Sequence, residues 1–209
     1  AGYPARLFVK KTEELARRLA EVAPALLAAP PLDVRLGDAR ALAGVAAGSV
    51  ALVVTSPPYP GNYDYLAHHA ARLRWLGLDA QPLERAEIGA RRNLEPLGLL
   101  DARRVFEADL AASLAAAARA LRPSGRAALL VADSVVAGRA LYALDVVTAA
   151  ARRAALSVVA TASQPRPHFH AASRHAFAGR PRAEHVVLLA RDATTAPPLP
   201  GRRARGERS

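Results

Sequence analysis

Four consecutive residues, Ser56-Pro57-Pro58-Tyr59, bring together a side-chain acceptor, two rigid carbonyls and an aromatic ring. Neither proline has an N–H, so the local carbonyls remain available as rigidly placed acceptors. Ser56 adds a side-chain oxygen and Tyr59 an aromatic face. An exocyclic amine on a nucleic-acid base is a poor nucleophile, because its lone pair is delocalised into the ring. Acceptors on its two N–H bonds favour the geometry and charge of a nitrogen attacking a methyl donor. The tyrosine ring suits a base turned out of its helix. The bland alternative is a tight turn stiffened by two prolines.

Two acidic residues invite the same question. Asp38 follows Gly37 and either lines a ligand edge or caps the next turn, and Asp133 faces the same choice. The histidines suit metal binding poorly. His68 and His69 are adjacent, about 100° apart on a helix, and His69 sits among leucines as a core residue would. His168, His170 and His175 have no obvious further ligands. With Phe169 as a stacking ring and Arg166, Arg174, Arg180 and Arg182 as phosphate partners, the loop around these last histidines reads instead as a nucleic-acid contact surface, or as a solvated loop.

The elements that must position these residues follow from periodicity. Thr12 to Ala29 reads as a helix that Pro24 kinks or ends, and Asp33–Leu36 as a short strand. Ser49–Thr55 is a continuous apolar run, as in a strand buried on both faces, and the motif stands at its carboxyl end. A helical pattern carries Leu66, His69, Leu73 and Leu76. Residues 79–100 read as loop with one short helix. Asp101 to Leu121 is a long helix with Phe106, Leu110, Leu114, Ala117 and Leu121 on its buried stripe. Ala127–Ala132 is a buried strand, Arg139 to Ala154 a helix, Leu156–Ala162 a strand, Gln164–Arg182 an irregular basic loop, and Glu184–Ala190 the last strand. Alternating strands and helices predict an α/β domain with a mostly parallel sheet and an antiparallel last strand. Ligands of such sheets bind beyond the strands' carboxyl ends, where Asp38, Thr55–Tyr59 and Asp133 lie.

Composition bounds the rest. The 209 residues carry 29 basic and 18 acidic side chains, a net charge of +11, and all but Lys10 and Lys11 of the basic set are arginines. A hydrophobic share of 52% predicts a real core, and the absence of cysteine excludes disulfides, thiolate zinc sites and a thiol nucleophile. No apolar run is long enough for a transmembrane helix and no signal peptide stands at the start, which predicts a soluble, cytoplasmic protein. The positive charge favours an acidic partner, nucleic acid first, although arginine also serves as an ordinary surface cation. Residues 192–209, rich in Pro, Gly and Arg, read as a disordered basic tail in which Arg202, Arg203, Arg205 and Arg208 add sequence-independent affinity or are simply solvated.

Ser56-Pro57-Pro58-Tyr59 resembles the catalytic motif of AdoMet-dependent amino-methyltransferases that act on DNA bases, N4-cytosine and N6-adenine, and its leading serine is more similar to the N4-cytosine branch. Leu36-Gly37-Asp38 through Ser49–Thr55, the run Asn62–Tyr65 to Trp75-Leu76-Gly77, Leu121–Gly125 and Glu184–Leu189 resemble flanking segments of the same family, over roughly residues 33–191. The resemblance implies a Rossmann-like fold. It also implies S-adenosyl-L-methionine as methyl donor, Ser56, Pro57, Pro58 and Tyr59 as catalytic residues, Asp38 and Thr55 at the donor, DNA as substrate, and a restriction-system partner as an option. RNA base methylation with the same motif, or a non-catalytic nucleic-acid-binding remnant of the fold, are the alternatives. The family's glycine-rich donor loop has no counterpart, since no Gly-x-Gly occurs. With no methionine at position 1, this leads to the expectation of a fragment: a helical segment over 1–32, the catalytic part over 33–191 and the tail over 192–209.

Overall fold

The computed structural model describes residues 2–167 and 171–191, and of residues 171–173 the backbone only. The chain forms two units, residues 1–36 and 37–209. In the first, helix α1 (Tyr3–Leu27) begins well before Thr12, with Pro4 near its start, and passes through Pro24 before ending. Proline is favoured in a helix's first turn because the N–H it lacks would be unbonded there anyway. None of its residues is buried, and Leu15, Leu19, Val22 and Leu26 are all exposed. The strand expected over 33–36 does not form. Asp33 is instead bound by the Arg35 guanidinium through both carboxylate oxygens, and the segment is exposed.

The second unit is built on a four-stranded sheet in the order β1-β2-β6-β5. Its strands are β1 (Val50–Thr55), β2 (Leu121–Ala132), β5 (Leu156–Pro165) and β6 (Ala183–Arg191). β1 pairs with β2 in parallel, while β6 is antiparallel to both β2 and β5. Three strands therefore share one direction, yet only one pairing in this sheet is parallel. The expected antiparallel last strand is present, and it lies inside the sheet rather than at its rim.

The reason is connectivity. Helix α6 (Ala143–Arg153) carries the chain from β2 over the sheet to β5, skipping one strand position, and β6 fills the gap. Helix α5 (Gly98–Ala120) buries Phe106, Leu110, Leu114 and Ala117 as the i, i+4 spacing predicts, together with Ala102, while Leu121, expected on the same buried stripe, opens β2. It packs with Val146, Val147, Ala150 and Ala151 of α6 over Ala127, Leu129, Val131, Val187 and Leu189 of the sheet, which form one core cluster.

Among the described residues, one face of the sheet alone is so covered. Residues 52, 54, 130 and 186 share the opposite face, since Val54 pairs with Ala128 and Leu130 with Val186. All four side chains are exposed, Val54 at 73%. The run 49–55 is thus not a strand buried on both faces, as its unbroken apolarity suggests. It has β2 as its one neighbour among the described residues.

Residues 79–100 are more ordered than a loop, with short helices α3 (Gln81–Ala86) and α4 (Arg91–Leu94) and a 3-10 turn over Glu95–Leu97. Helix α2 (Tyr65–Leu76) follows the motif, and its Gly77 adopts φ 64° to receive the left-handed end of the helix. Residues 139–141, expected in a helix, form β4 (Arg139–Leu141) of a small hairpin with β3 (Ser134–Val136). The turn residues Ala137 and Gly138 both have positive φ, 49° and 71°, as a two-residue hairpin turn demands. Within the basic loop, α7 (Ala171–Ala176) is a single short helix. No described helix is long and apolar enough to cross a membrane.

Candidate active site

The motif leaves the sheet where predicted. Thr55 is the last residue of β1 and pairs with Leu129, and Ser56 to Tyr59 continue past the strand's carboxyl end. Thr55 and Ser56 are exposed, Pro57, Pro58 and Tyr59 half-buried, and Pro60 and Gly61 buried. Tyr59 then starts a tight turn in which the Asn62 N–H donates to its carbonyl at 3.1 Å. Pro60 at the second place and Gly61 at the third, with φ 71°, make this a type II turn. Glycine is required twice over. A Cβ at Gly61 would lie 2.9 Å from both the Val135 carbonyl oxygen and Val136 Cγ2 of the hairpin.

The tyrosine is fixed at its far end. Its hydroxyl donates to Glu184 Oε1 at 3.0 Å, and Glu184 Oε2 is paired with Arg166 at 2.7 Å. Burial pushes the Tyr59 phenol up from its ordinary value; the Ser56 hydroxyl beside it lowers it, and the Glu184 carboxylate raises it again. Glu184 is the residue that sequence reasoning missed. It lies 125 positions from Tyr59, at the start of β6, and only the antiparallel placement of that strand brings it to the carboxyl ends of β1 and β2.

Asp133 follows β2 at the same edge and is 0% exposed. Its carboxylate accepts from the N–H of Ala143, the first residue of α6, at 2.8 Å, and from the Ala183 N–H at 3.0 Å. His185 Nε2 lies 3.4 Å away, and its Nδ1 is 2.8 Å from the Ser163 hydroxyl. This is structural work: one buried carboxylate ties the start of α6 to the start of β6. The capping alternative for Asp133 describes it better than an open ligand edge.

Asp38 adjoins the site, since the next residue, Ala39, lines its cavity. Arg40 donates to both its carboxylate oxygens and also to Asp109 of α5 at 2.9 Å, and the Arg40 hydrogen bonds hold the Asp38 carboxyl below the usual range. Its neighbours Ala39 and Leu42 line a cavity of about 330 Å³. Thr55, Ser56, Pro57 and Pro58 form another wall of that cavity, with Val53, Ile88, Phe106, Leu110 and Leu114 among its apolar lining. Its size falls at the lower end of small-molecule sites. The lining is apolar apart from the hydroxyl-bearing Thr55, Ser56 and Ser113.

The four arginines of the basic loop are partly committed inside the protein. Arg166 pairs with Glu184, Arg180 lies 4.0 Å over the Tyr142 ring and 3.6 Å from Asp145, and Arg182 Nε donates to the Asp133 carbonyl at 3.1 Å. Arg174 is exposed on α7. Phe169, with His168 and His170, lies outside the described residues, as does the tail. His69 is half-buried rather than in the core, and its ring nitrogen lies 3.1 Å from the Arg72 guanidinium. Among the described residues no cluster of three metal-ligating side chains occurs.

No family model and no curated protein matches the chain. Three solved structures of a candidate DNA modification methylase from Thermus thermophilus are similar to it. The selenomethionine derivative is 20% identical with a TM-score of 0.41, covering 78% of this chain and 54% of that one. A second form is 22% identical with a TM-score of 0.47, covering 78% and 56%. The form complexed with S-adenosyl-L-methionine is 20% identical with a TM-score of 0.44, covering 78% and 55%. The chain thus spans just over half the length of the solved structures it resembles.

Proposed function

We propose that this chain carries the amine-binding side of a Rossmann-like methyltransferase acting on an exocyclic amino group of a DNA base, with cytosine N4 favoured over adenine N6. One observation carries the reading: Ser56-Pro57-Pro58-Tyr59 stands at the carboxyl end of β1, opens onto an apolar cavity, and has its tyrosine ring fixed by Glu184. The Ser56 hydroxyl and the Pro57 carbonyl would accept the two amine N–H bonds and so turn the nitrogen lone pair out of conjugation. The Tyr59 ring would hold the base by stacking, and its hydrogen bond to Glu184 keeps the ring from rotating away. The apolar wall of Val53, Ile88 and Phe106 excludes water from the nitrogen.

S-adenosyl-L-methionine is the methyl donor in this reading, and as a sulfonium it supplies an already activated methyl group without a metal. Among the described residues lining the cavity, the side chains are apolar or hydroxyl-bearing, with no carboxylate for ribose hydroxyls, and the nearby Asp38 carboxylate is bound by Arg40.

Incubation with methyl-labelled S-adenosyl-L-methionine and oligonucleotides, followed by identification of the labelled nucleoside, tests the reaction and the base together. DNA cytosine labelled at N4 is the expected product; RNA labelling would move the assignment to an RNA base. Ser56→Ala should lower the rate by about 10²-fold, the scale on which one oriented hydrogen-bonding group acts, and Tyr59→Ala should do so through lost base binding. Rates equal to the parent in both variants would refute the assignment of the motif.

A further inference from the structure

Immediately beyond the type II turn the chain sets out a second group of rings. Tyr63 stacks on Tyr65 with ring centres 5.7 Å apart, and Tyr65 stacks on His69 at 6.1 Å. His68 tilts against Tyr63 at 5.8 Å. Four rings thus run from the end of the catalytic loop onto the first turns of α2. Tyr63 is 47% exposed and Tyr65 37%, so both rings meet solvent.

The backbone under them is unusually well tied. Asp64 caps α2 by accepting from the Ala67 N–H at 3.1 Å, and Glu87 accepts from the Tyr65 N–H at 2.7 Å. Arg92 bridges these two carboxylates at 2.6 and 2.7 Å. Arg91 donates to the carbonyls of Gly61 and Asn62, at 3.1 and 3.0 Å. Burial alone would raise the Asp64 carboxyl; the Ala67 N–H and Arg92 outweigh it and hold it below the usual range. Rings in water gain little by being held so firmly, unless the ordering is spent on something that stacks against them.

We infer that Tyr63, Tyr65, His68 and His69 form a stacking platform for unpaired nucleotides flanking the target base. The inference rests on the reading of Ser56–Tyr59 as a base-binding loop. Tyr63 is four residues from Tyr59, hence within about 14 Å of it, the span of about four stacked nucleotides. Every base offers a flat face, so a ladder of rings binds a single strand without reading its sequence. In a duplex those faces are covered by neighbouring bases. Arg72, donating to the His69 ring nitrogen at 3.1 Å, sets a cation at the end of the ladder, and the chain's net charge of +11 suits a polyanion better than an ordinary peptide.

Fluorescence anisotropy with a labelled single-stranded oligodeoxynucleotide, and with the same sequence as duplex, tests the platform without any methyl donor. Tyr63→Ala and Tyr65→Ala should each weaken single-strand binding by about fivefold or more. Tyr65→Phe should bind like the parent, which separates loss of the ring from loss of the hydroxyl, and circular dichroism melting should show all variants folded. Parent-like affinity in both alanine variants would overturn the platform. So would equal losses for duplex and single strand, or a parent chain that binds neither. Ring-dependent binding without methyl transfer would overturn the catalytic reading and leave the platform standing.

Discussion

At the scale of single residues, one hydrogen bond of 3.0 Å, from the Tyr59 hydroxyl to Glu184, joins the loop after β1 to the start of β6. Two prolines at the end of an apolar run must leave a sheet, so the position of Ser56–Tyr59 follows from local chemistry. Glu184 carries no such local mark; it is one acidic residue before an apolar strand, and its meaning depends on a neighbour 125 residues away. Asp38 is marked only by its place after Gly37, and Arg40, two positions on, reaches both its carboxylate oxygens. The Tyr59–Glu184 contact makes a titration prediction. Burial is the first cause of the raised phenol and the carboxylate acts after it, so Glu184→Gln should lower the Tyr59 titration only partway toward 10.0. The chain has five tyrosines, so the measurement is a spectrophotometric titration read as the difference from Tyr59→Phe. A phenol raised on folding stabilises the protein below the unfolded value and loses that contribution as pH climbs through the folded one. The parent should therefore lose stability above pH 10.0 faster than the Tyr59→Phe variant. Identical alkaline denaturation curves would contradict the assignment.

Elements are where periodicity spoke most clearly and turn chemistry decided the rest. The stripe on α5 follows from residues spaced by three and four as far as Ala117, and Leu121, read as its last member, opens β2 instead. The hairpin β3–β4 was hidden because Arg139–Leu141 continues smoothly into a helical pattern, while the turn that separates them rests on Ala137, a residue with no turn signature. The strand expected at 33–36 had the right composition and finds no partner among the described residues, and a strand without a ladder does not persist. Gly61 and Gly77 offer a controlled comparison, because both have positive φ, but only Gly61 has neighbours where a Cβ would go. Gly77→Ala should cost about 1 kcal/mol from backbone strain alone. Gly61→Ala should cost roughly 2 kcal/mol more, since a backbone carbonyl 2.9 Å away has little room to yield. Urea denaturation of both variants measures the difference, and equal losses would mean that the hairpin moves aside freely.

For the whole molecule, composition foretold a core and a basic surface but not how unevenly the core would be placed. The helices α5 and α6 cover one face of the sheet, and Leu52, Val54, Leu130 and Val186 stand exposed on the other. A contiguous apolar patch of this kind drives association or dye binding in water. The chain should bind a hydrophobic fluorophore in its folded state and associate as its concentration rises. Leu52→Thr with Val54→Thr should reduce both while leaving the thermal midpoint within a few degrees, because these side chains are already solvated. Unchanged dye binding in the double variant would show that the patch lies elsewhere.

The placement of β6 has a consequence in time as well as in space. β6 is the last described strand of the chain to be made, yet it occupies an interior position between β2 and β5. Until it inserts, β5 has no ladder, Asp133 lacks the Ala183 N–H, and Tyr59 lacks Glu184. Such distant pairings form slowly. A ribosome-bound chain can therefore have residues 56–59 and the cavity wall complete in sequence while Tyr59 still waits for the partner that holds its hydroxyl.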